Sequence, residues 1–590
     1  MSSLVRNDKL ILRKFYSYLI SGIIIVFALQ FGSLMDGIVL GNMFNENALS
    51  ASSLCLPAIY LIEFPAFALS TGAPILISML LGKRNVEKAK KVMSFSLLFG
   101  FLISLIFIPL GIFLSDQIAS VLAGNFQELV PLMSPYVKAF LLQAPIISLG
   151  MIFAGILAAD NNPKLAAAYY IICNVVHIGA EVIFLVILKD NMRMFGAGIS
   201  LGIGMVVGFI VVIPYLLSKK RTLSFSFRKM GVKEYFVDLV KASSPAGLNI
   251  LCLFGMTLVL NIANTMYLQN INDLVIYAML ANSVFIVDLM ILGILQLLPT
   301  VVGTLFGEQD YFSIRSICRR IIIIGEIISL VLLAIVAAFP QLFFYIFGVS
   351  LDGIDEMHLL VIRIYSFSFI FYFLNKFVLN YYPSIGYNAV TYVNLIVRNI
   401  VVGAPLLFVL IMCNGIMGFA YGSIIVEAVS VILSYIFLLI DSKCRPHKGK
   451  PILMLPKSEE YVNVLDASFT GEVNEVIDKL DELRKELLES KIISENTIAL
   501  ISLTIEEITT NMNKFSKGSN HKPSLIDISI KKKSDKIILR IRDNNVNFNP
   551  TYVGDDEYGL EGITMLEKVS SSVTYLRLLN LNNTIVEFEI

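Results

Sequence analysis

Asp36 stands in the apolar run "GSLMDGIVLG" (32–41), and His177 and Glu181 stand in another, "IICNVVHIGAEVIFL" (171–185). An ionisable side chain at the centre of a helix in hydrocarbon costs roughly 2.5–3.5 kcal/mol, so each is a candidate for function. His177 and Glu181 are four apart and share one helical face. An acid from one helix and a His–Glu pair from another could hold a proton or a sodium ion between them. Empty, such groups repel; loaded, they relax, which couples ion binding to movement of the packed segments. The plainer reading of His177 is a core histidine bonded to a backbone carbonyl. A second pair lies far downstream: "ISLTIEEITTNMNKFS" (501–516) sets Glu507 and Asn511 one turn apart in a polar helix.

The elements that must position these residues follow from composition. Of 590 residues 56% are hydrophobic and only 15% charged, with a mean hydropathy of +0.76, which places most of the chain in lipid. Apolar stretches able to cross about 30 Å of hydrocarbon are expected near 16–40, 53–80, 93–114, 134–158, 165–188, 196–217, 244–268, 274–300, 320–346, 361–382, 389–412 and 416–440. Basic loops, "GKRNVEKAKK" (82–91), "SKKRTLSFSFRKMGVK" (218–233), "RSICRR" (315–320) and "DSKCRPHKGK" (441–450), fall on one side, with Arg6, Lys9, Arg13 and Lys14 before the first span. That side is expected to be cytoplasmic, with both termini inside a plasma-membrane protein. No removable signal peptide is read at the N-terminus. The six cysteines are scattered, without a CxxC pair, so neither a disulfide framework nor a zinc site is indicated. A net charge of +1 gives no sign of a nucleic-acid partner.

Pro74 and Gly82 flank "ILISMLL" before a basic loop, and Pro299 and Gly307 flank a similar stretch at the same separation 225 residues later. This spacing predicts two six-span halves, 1–230 and 231–445, with a binding site between them. The remaining intramembrane charges, Glu63, Asp288, Glu326, Glu427, Arg363, Lys376 and Arg398, read as helix glue or as side chains reaching an interface.

The first span with its Asp36 and Gly41, then "NALSASSL" and "GAPILISMLLGKRNVEKAKK", together with "GILAADNNPKLAAAYYIICNVVHIGAEVIFL" (155–185), resembles the MATE family of multidrug and toxin exporters over about 10–440. The resemblance implies a twelve-helix exporter of small organic cations, driven by proton or sodium entry. It also implies a cation site in the first half, with an acid at Asp36, an Asn replaced here by His177, and an acid at Glu181. Histidine favours a proton over sodium there. Some relatives carry a second acid in the seventh span. The stretch 244–268 has none, and the tenth span offers Asn375 and Lys376 where an acid is possible.

After Lys450 the charge density becomes that of a soluble domain. A linker (446–469) is expected, then an amphipathic helix (472–491) and a second helix with Ile498, Ile501, Ile505, Ile508, Met512 and Phe515 on one stripe. Strand-like runs follow at 525–533, 536–543, 572–579 and 584–590, with a short helix near 562–570. Helices on one face of a mostly antiparallel sheet give an α+β sandwich. This order, with Glu507, Asn511, Asp543 and "YGLEGI", resembles the GHKL (Bergerat, histidine-kinase-like) ATP-binding fold over 470–590, closest to its anti-sigma serine-kinase branch. The resemblance implies Mg-ATP as ligand. Asn511 would hold the magnesium ion, Glu507 would act as base, Asp543 would bind the adenine amine, and Gly559 and Gly562 would approach phosphate. The family's Asp-x-Gly is Asp543-Asn544-Asn545 here, and Leu560 and Glu561 stand where glycine is usual. No P-loop is present, which disfavours ATP-powered transport.

The sequence thus reads as a polytopic all-α membrane protein of twelve helices followed by a small α+β cytoplasmic domain. The favoured function is secondary export tuned by that domain, with a cytoplasmic regulatory protein as a further partner. Two alternatives stay open: a membrane sensor whose tail is an anti-sigma-type serine kinase, and a lipid-linked saccharide flippase.

Overall fold

The computed structural model describes residues 6–44, 46–123, 127–160, 162–218, 221–226, 232–267, 271–342, 355–444, 452–456, 461–470, 473–516, 524–545, 547, 549 and 570–589. The chain divides into two units. One comprises Tyr18–Pro446 with Lys450–Met454, the other Met1–Ser17, His447–Gly449 and Leu455–Ile590.

The first unit is helical. Its helices are α1 (Lys9–Met43), α2 (Glu46–Gly82), α3 (Val86–Ser104), α4 (Phe107–Phe113), α5 (Ser115–Ala123), α6 (Val130–Ala159), α7 (Pro163–Ile187) and α8 (Asp190–Leu217). They continue as α9 (Val232–Tyr267), α10 (Ile271–Leu295), α11 (Leu298–Gly307), α12 (Tyr311–Ala338), α13 (Glu356–Ser366), α14 (Ser368–Ser384), α15 (Ala389–Leu395) and α16 (Gly403–Cys444). Among the described residues ten stretches are long and apolar enough to cross a membrane. The expected twelve differ from these in two places. The stretch at α1 is not among the ten, and Ala389–Cys444 runs 56 residues as one. At about 1.5 Å per residue that length far exceeds one crossing. Gly415 breaks it, with φ 57° and ψ −139°.

The internal repeat has a physical counterpart. Helices α2 and α11 end on Gly82 and Gly307, and these two glycines abut: a Cβ on either would stand 2.9 Å from the other's Cα, and nearer still to the carbonyl of Thr304 or Met79. No larger residue fits such an approach. Beyond each glycine the chain turns in the same way. Arg84 and Gln309 take φ of 63° and 56°. Asn85 N–H then donates to the Leu80 carbonyl at 2.8 Å, and Asp310 N–H to the Leu305 carbonyl at 2.9 Å. Their side chains cap the helices that follow, accepting from Lys88 N–H and Ser313 N–H. The match recurs at the same offset where Asn162 N–H meets the Leu157 carbonyl (3.0 Å) and Tyr387 N–H the Tyr382 carbonyl (2.9 Å).

The second unit is built on a five-stranded antiparallel sheet in the order β1-β2-β3-β5-β4. Its strands are β1 (Val462–Thr470), β2 (Leu525–Lys533), β3 (Lys536–Asp543), β4 (Ser572–Leu578) and β5 (Leu581–Glu589), and its helices are α17 (Val473–Ser490) and α18 (Glu495–Ser516). The core joins Ile498, Ile501, Ile505 and Ile508 of α18 and Leu483 and Leu487 of α17 to Ile526, Ile528, Ile530, Ile537, Leu539 and Ile541 of the sheet. Both helices therefore cover one face.

Two boundaries are corrected. The stretch expected as linker contains β1, whose Leu465, Ala467 and Phe469 alternate into the core and which pairs with β2 along its length. Asp466 and Ser468 between them dilute the hydrophobic signal. Residues Met1–Ser17, assigned by sequence to the first membrane half, belong with the sheet. Asn7 N–H donates to Ser468 Oγ (3.1 Å), and the buried Arg6 guanidinium lies 3.9 Å from Asp466 and 4.0 Å from Asp527. The expected helix near 562–570 lies outside the described residues, apart from Ser570.

Candidate functional site

Helix α7 carries the His177–Glu181 pair. Both are buried, Glu181 completely, at 7% and 0% exposure. Small residues on the neighbouring helices make room for this face. A Cβ at Gly204 of α8 would collide with the Cys173 carbonyl and stand 3.2 Å from His177 Cβ. A Cβ at Gly32 of α1 would collide with Asn174 Oδ1. Helix α1 therefore touches α7 at Gly32 and Asn174, four residues before Asp36 on one helix and three before His177 on the other. The side chain of Asp36 lies outside the described residues, although its backbone is helical. Asn174, whose Nδ2 donates to the Tyr170 carbonyl at 2.9 Å, is a residue the sequence reading did not single out. Its one-turn spacing from His177 was the available signal.

The second half is built differently. Asp288 of α10 accepts from Tyr372 Oη (2.6 Å) and from Lys376 Nζ (3.3 Å), both on α14. Arg398 clasps Glu427 of α16 through Nε, 3.0 Å from each carboxylate oxygen, and Nη2 at 2.6 Å. Asn375 Nδ2 donates to Glu427 Oε2 (2.6 Å) and to its carbonyl (2.9 Å). Asn394 Nδ2 reaches Asn375 Oδ1 (2.5 Å) and Ser434 Oγ (3.0 Å). Lys376 Nζ and Arg398 Cζ lie 4.9 and 5.2 Å from the centre of the Tyr372 ring. Two acids and two bases are thus matched around one aromatic ring. Arg398 sits in a π-helical turn, Ile396–Val401, a distortion frequent at functional sites. Gly403 permits it, since a Cβ there would collide with the Arg398 carbonyl. This cluster was visible in sequence only as scattered charges, because Asp288 and Lys376 are 88 residues apart and no spacing rule joins them.

In the α+β unit, Asp543 ends β3 and by strand alternation shares the helix-covered face with Ile537, Leu539 and Ile541. Its Oδ1 accepts from Asn545 N–H (2.8 Å) and Asn582 Nδ2 (2.9 Å). Asn582 Oδ1 in turn accepts from Tyr575 Oη (2.8 Å) and Arg577 Nη1 (3.1 Å). Burial pushes the Asp543 carboxyl up to about 6, against the pull of these bonds and of the Arg577 and Lys14 charges. Burial, with help from Arg577 and Arg13, lowers Lys14. Glu507 is half-buried on α18. The side chain of Asn511 and the whole of Gly559 and Gly562 lie outside the described residues. Arg577, Asn582 and Lys14 are additions that the sequence reading did not associate with Asp543. Among the described residues no group of three or more His, Cys, Asp or Glu side chains could hold a metal ion.

Residues 22–183 match the MatE family model, a segment that contains Asp36, His177 and Glu181. Over 225 residues the chain is 30% identical to the multidrug export protein MepA of Staphylococcus saprophyticus, covering 38% of this chain and 49% of that protein. The MepA of Staphylococcus aureus is 28% identical over 226 residues, again 49% of its length. The chain spans about half the length of these curated relatives. Among solved structures, an outward-facing multidrug-resistance MATE transporter superposes with a TM-score of 0.66 at 19% identity, covering 73% of this chain and 96% of that one. The chain has the MATE transporter fold. The Vibrio cholerae MATE transporter VcmN, in a mutant form, gives a TM-score of 0.64 at 17% identity over 73% of this chain and 97% of its own. Within the MATE fold seen here, buried ionisable groups occur in both halves, on α7 in the first and on α10, α14 and α16 in the second.

Proposed function

We propose that this chain is a secondary active exporter of small organic cations, coupled to proton or sodium entry at a first-half site formed by Asp36, His177 and Glu181. The observation that carries this reading is the complete burial of Glu181 one turn from His177 on α7, inside the segment that matches the MatE model. A carboxyl kept there at a cost of roughly 2.5–3.5 kcal/mol needs a use, and reversible cation loading supplies one. Glycine at 32 and 204 brings α1 and α8 against the same face of α7. In this reading twelve helices cross a plasma membrane with both termini cytoplasmic, Ala389–Cys444 supplying two of the crossings and α1 the first.

The α+β unit is proposed as a nucleotide-responsive regulator of the GHKL type. Its support is the buried Asp543 on the helix-covered face of the sheet, with the half-buried Glu507 on α18. Asp543 would take the adenine amine, Asn511 a magnesium ion, and the stretch around Gly559 and Gly562 the phosphates. The test is uptake of a fluorescent organic cation into proteoliposomes under imposed proton and sodium gradients, with and without Mg-ATP on the tail side. Gradient-dependent uptake that Asp36→Asn and Glu181→Gln abolish is expected. Uptake indifferent to both gradients and both variants would sink the exporter reading. An ATP effect removed by Asp543→Ala would support the regulator, and identical rates with and without ATP would refute it.

A further inference from the structure

The second-half charge cluster has the composition of a binding site for an organic cation that the chain itself fills. A carboxylate beside the face of an aromatic ring recognises ammonium and other organic cations, through charge on one side and the ring quadrupole on the other. Asp288 accepts from the Tyr372 hydroxyl and so lies at that end of the ring, close enough for one cation to reach both carboxylate and ring. Their positive partner is the ammonium of Lys376, 3.3 Å from the carboxylate and 4.9 Å from the ring centre. Lys376 holds its place by one monodentate contact on a flexible stem, whereas Arg398 is clasped at three distances of 3.0 Å or less by Glu427. The two pairs therefore differ in how readily they open. Both pairs are similarly buried, with side chains at 16% and 10% against 12% and 11%, so the difference lies in their contacts.

We infer that Asp288 and the ring of Tyr372 form the substrate-cation subsite of the second half, with Lys376 a tethered competitor that an incoming organic cation displaces. This deepens the exporter reading and rests on it for the substrate class. Arg398, Glu427, Asn375 and Asn394 are positioning residues, fixing the Tyr372 ring and the distorted helix beside it. Lys376 keeps the Asp288 carboxylate neutralised whenever substrate is absent, so that half needs no external ion. A cluster serving only as helix glue would show none of this competition.

The test is equilibrium dialysis of tetraphenylphosphonium against the full chain in detergent, with size-exclusion elution as the check on folding. Lys376→Met removes the competitor and should tighten binding by about tenfold, within the range of a desolvated cation–π contact. Adding Asp288→Asn to Lys376→Met should erase that gain. Binding by a folded Lys376→Met that is equal to or weaker than wild type would overturn the inference. If Lys376→Met does not fold, Asp288→Asn, which keeps an oxygen acceptor for Tyr372 Oη, decides. A loss of about tenfold supports the subsite, and unchanged binding refutes it. Equilibrium binding is independent of transport. Absent uptake with this binding pattern would therefore remove the exporter reading alone, and intact uptake without the pattern would remove the subsite alone.

Discussion

The two halves of the membrane unit share a scaffold and differ in how they treat charge. Gly82 against Gly307, and the matched turns at Arg84 and Gln309, show one architecture used twice. In the first half α1 beyond Lys14 and α7 beyond Lys164 contain no lysine or arginine, while they hold Asp36, His177 and Glu181. At the repeat offset, Val402 and Leu406 stand where His177 and Glu181 do. The second half instead matches Asp288 and Glu427 to its own Lys376 and Arg398. In the proposed reading the first half takes its cation from outside, whereas the second half pairs its acids with its own lysine and arginine. The packing thus repeats between the halves while the charge pattern does not.

The largest effect should come from breaking the tighter internal pair. Arg398→Met leaves Glu427 buried without its guanidinium and should destabilise the helical unit by about 3–5 kcal/mol, seen as a lowered Tm in detergent. Arg398→Met with Glu427→Leu should recover most of that loss. Equal instability in the double variant would mean that the pair is needed as a pair, and that the contrast between halves is drawn wrongly. Next, Glu181→Gln should lower gradient-driven uptake by about 50-fold with little change in Tm, since coupling energies run to roughly 1–3 kcal/mol. A large fall in Tm without a selective transport defect would make Glu181 a packing residue.

Asp543 extends the comparison to the α+β unit, as a buried acid that accepts from a backbone N–H and a side-chain amide. Its carboxyl is raised to about 6 by burial, so the folded unit holds that proton more tightly than the unfolded chain. The contribution to stability falls between about pH 4 and pH 6 and is flat above. Asp543→Asn keeps an oxygen acceptor for Asn545 and Asn582. It should stabilise strands β2 and β3 at pH 7.5 by ~2 kcal/mol and flatten the pH dependence, read by hydrogen exchange over 525–543. Slower exchange at pH 7.5 than at pH 4.5 in wild type, after correction for the intrinsic rate, would contradict this sign. The smallest effect belongs to Arg6→Ala. Its guanidinium is buried beside Asp466 and the buried Asp527 but at long distances of 3.9 and 4.0 Å, so the loss should be about 1–2 kcal/mol, read as faster exchange in β1 and β2.

Much of this architecture was legible in sequence because its signals are local. Runs of about twenty apolar residues mark the spans, and the Pro–Gly pairs at 74/82 and 299/307 mark the repeat. The charged turn at Ser534–Asp535 separates β2 from β3 where the alternation does. What was not legible depends on partners distant in the chain. Strand β1 forms because Leu465, Ala467 and Phe469 find a sheet that begins 55 residues later with Leu525 of β2. The docking of Arg6 and Asn7 on that sheet spans nearly the whole sequence. At the site, the i,i+4 rule placed His177 and Glu181 together but could not join Lys376 to Asp288 or Arg398 to Glu427. The reading of those charges as helix glue agrees with their pairing across helices, Lys376 with Asp288 and Arg398 with Glu427.

The most direct test of the contrast between the halves is proteoliposome uptake of an organic cation at saturating substrate, with and without an imposed proton or sodium gradient. Glu181→Gln is compared with the double variant Asp288→Asn, Lys376→Met. The account predicts that Glu181→Gln loses the gradient response, whereas the double variant keeps it. A double variant that loses the gradient response, or a Glu181→Gln that keeps it, would contradict the assignment of coupling to the first half.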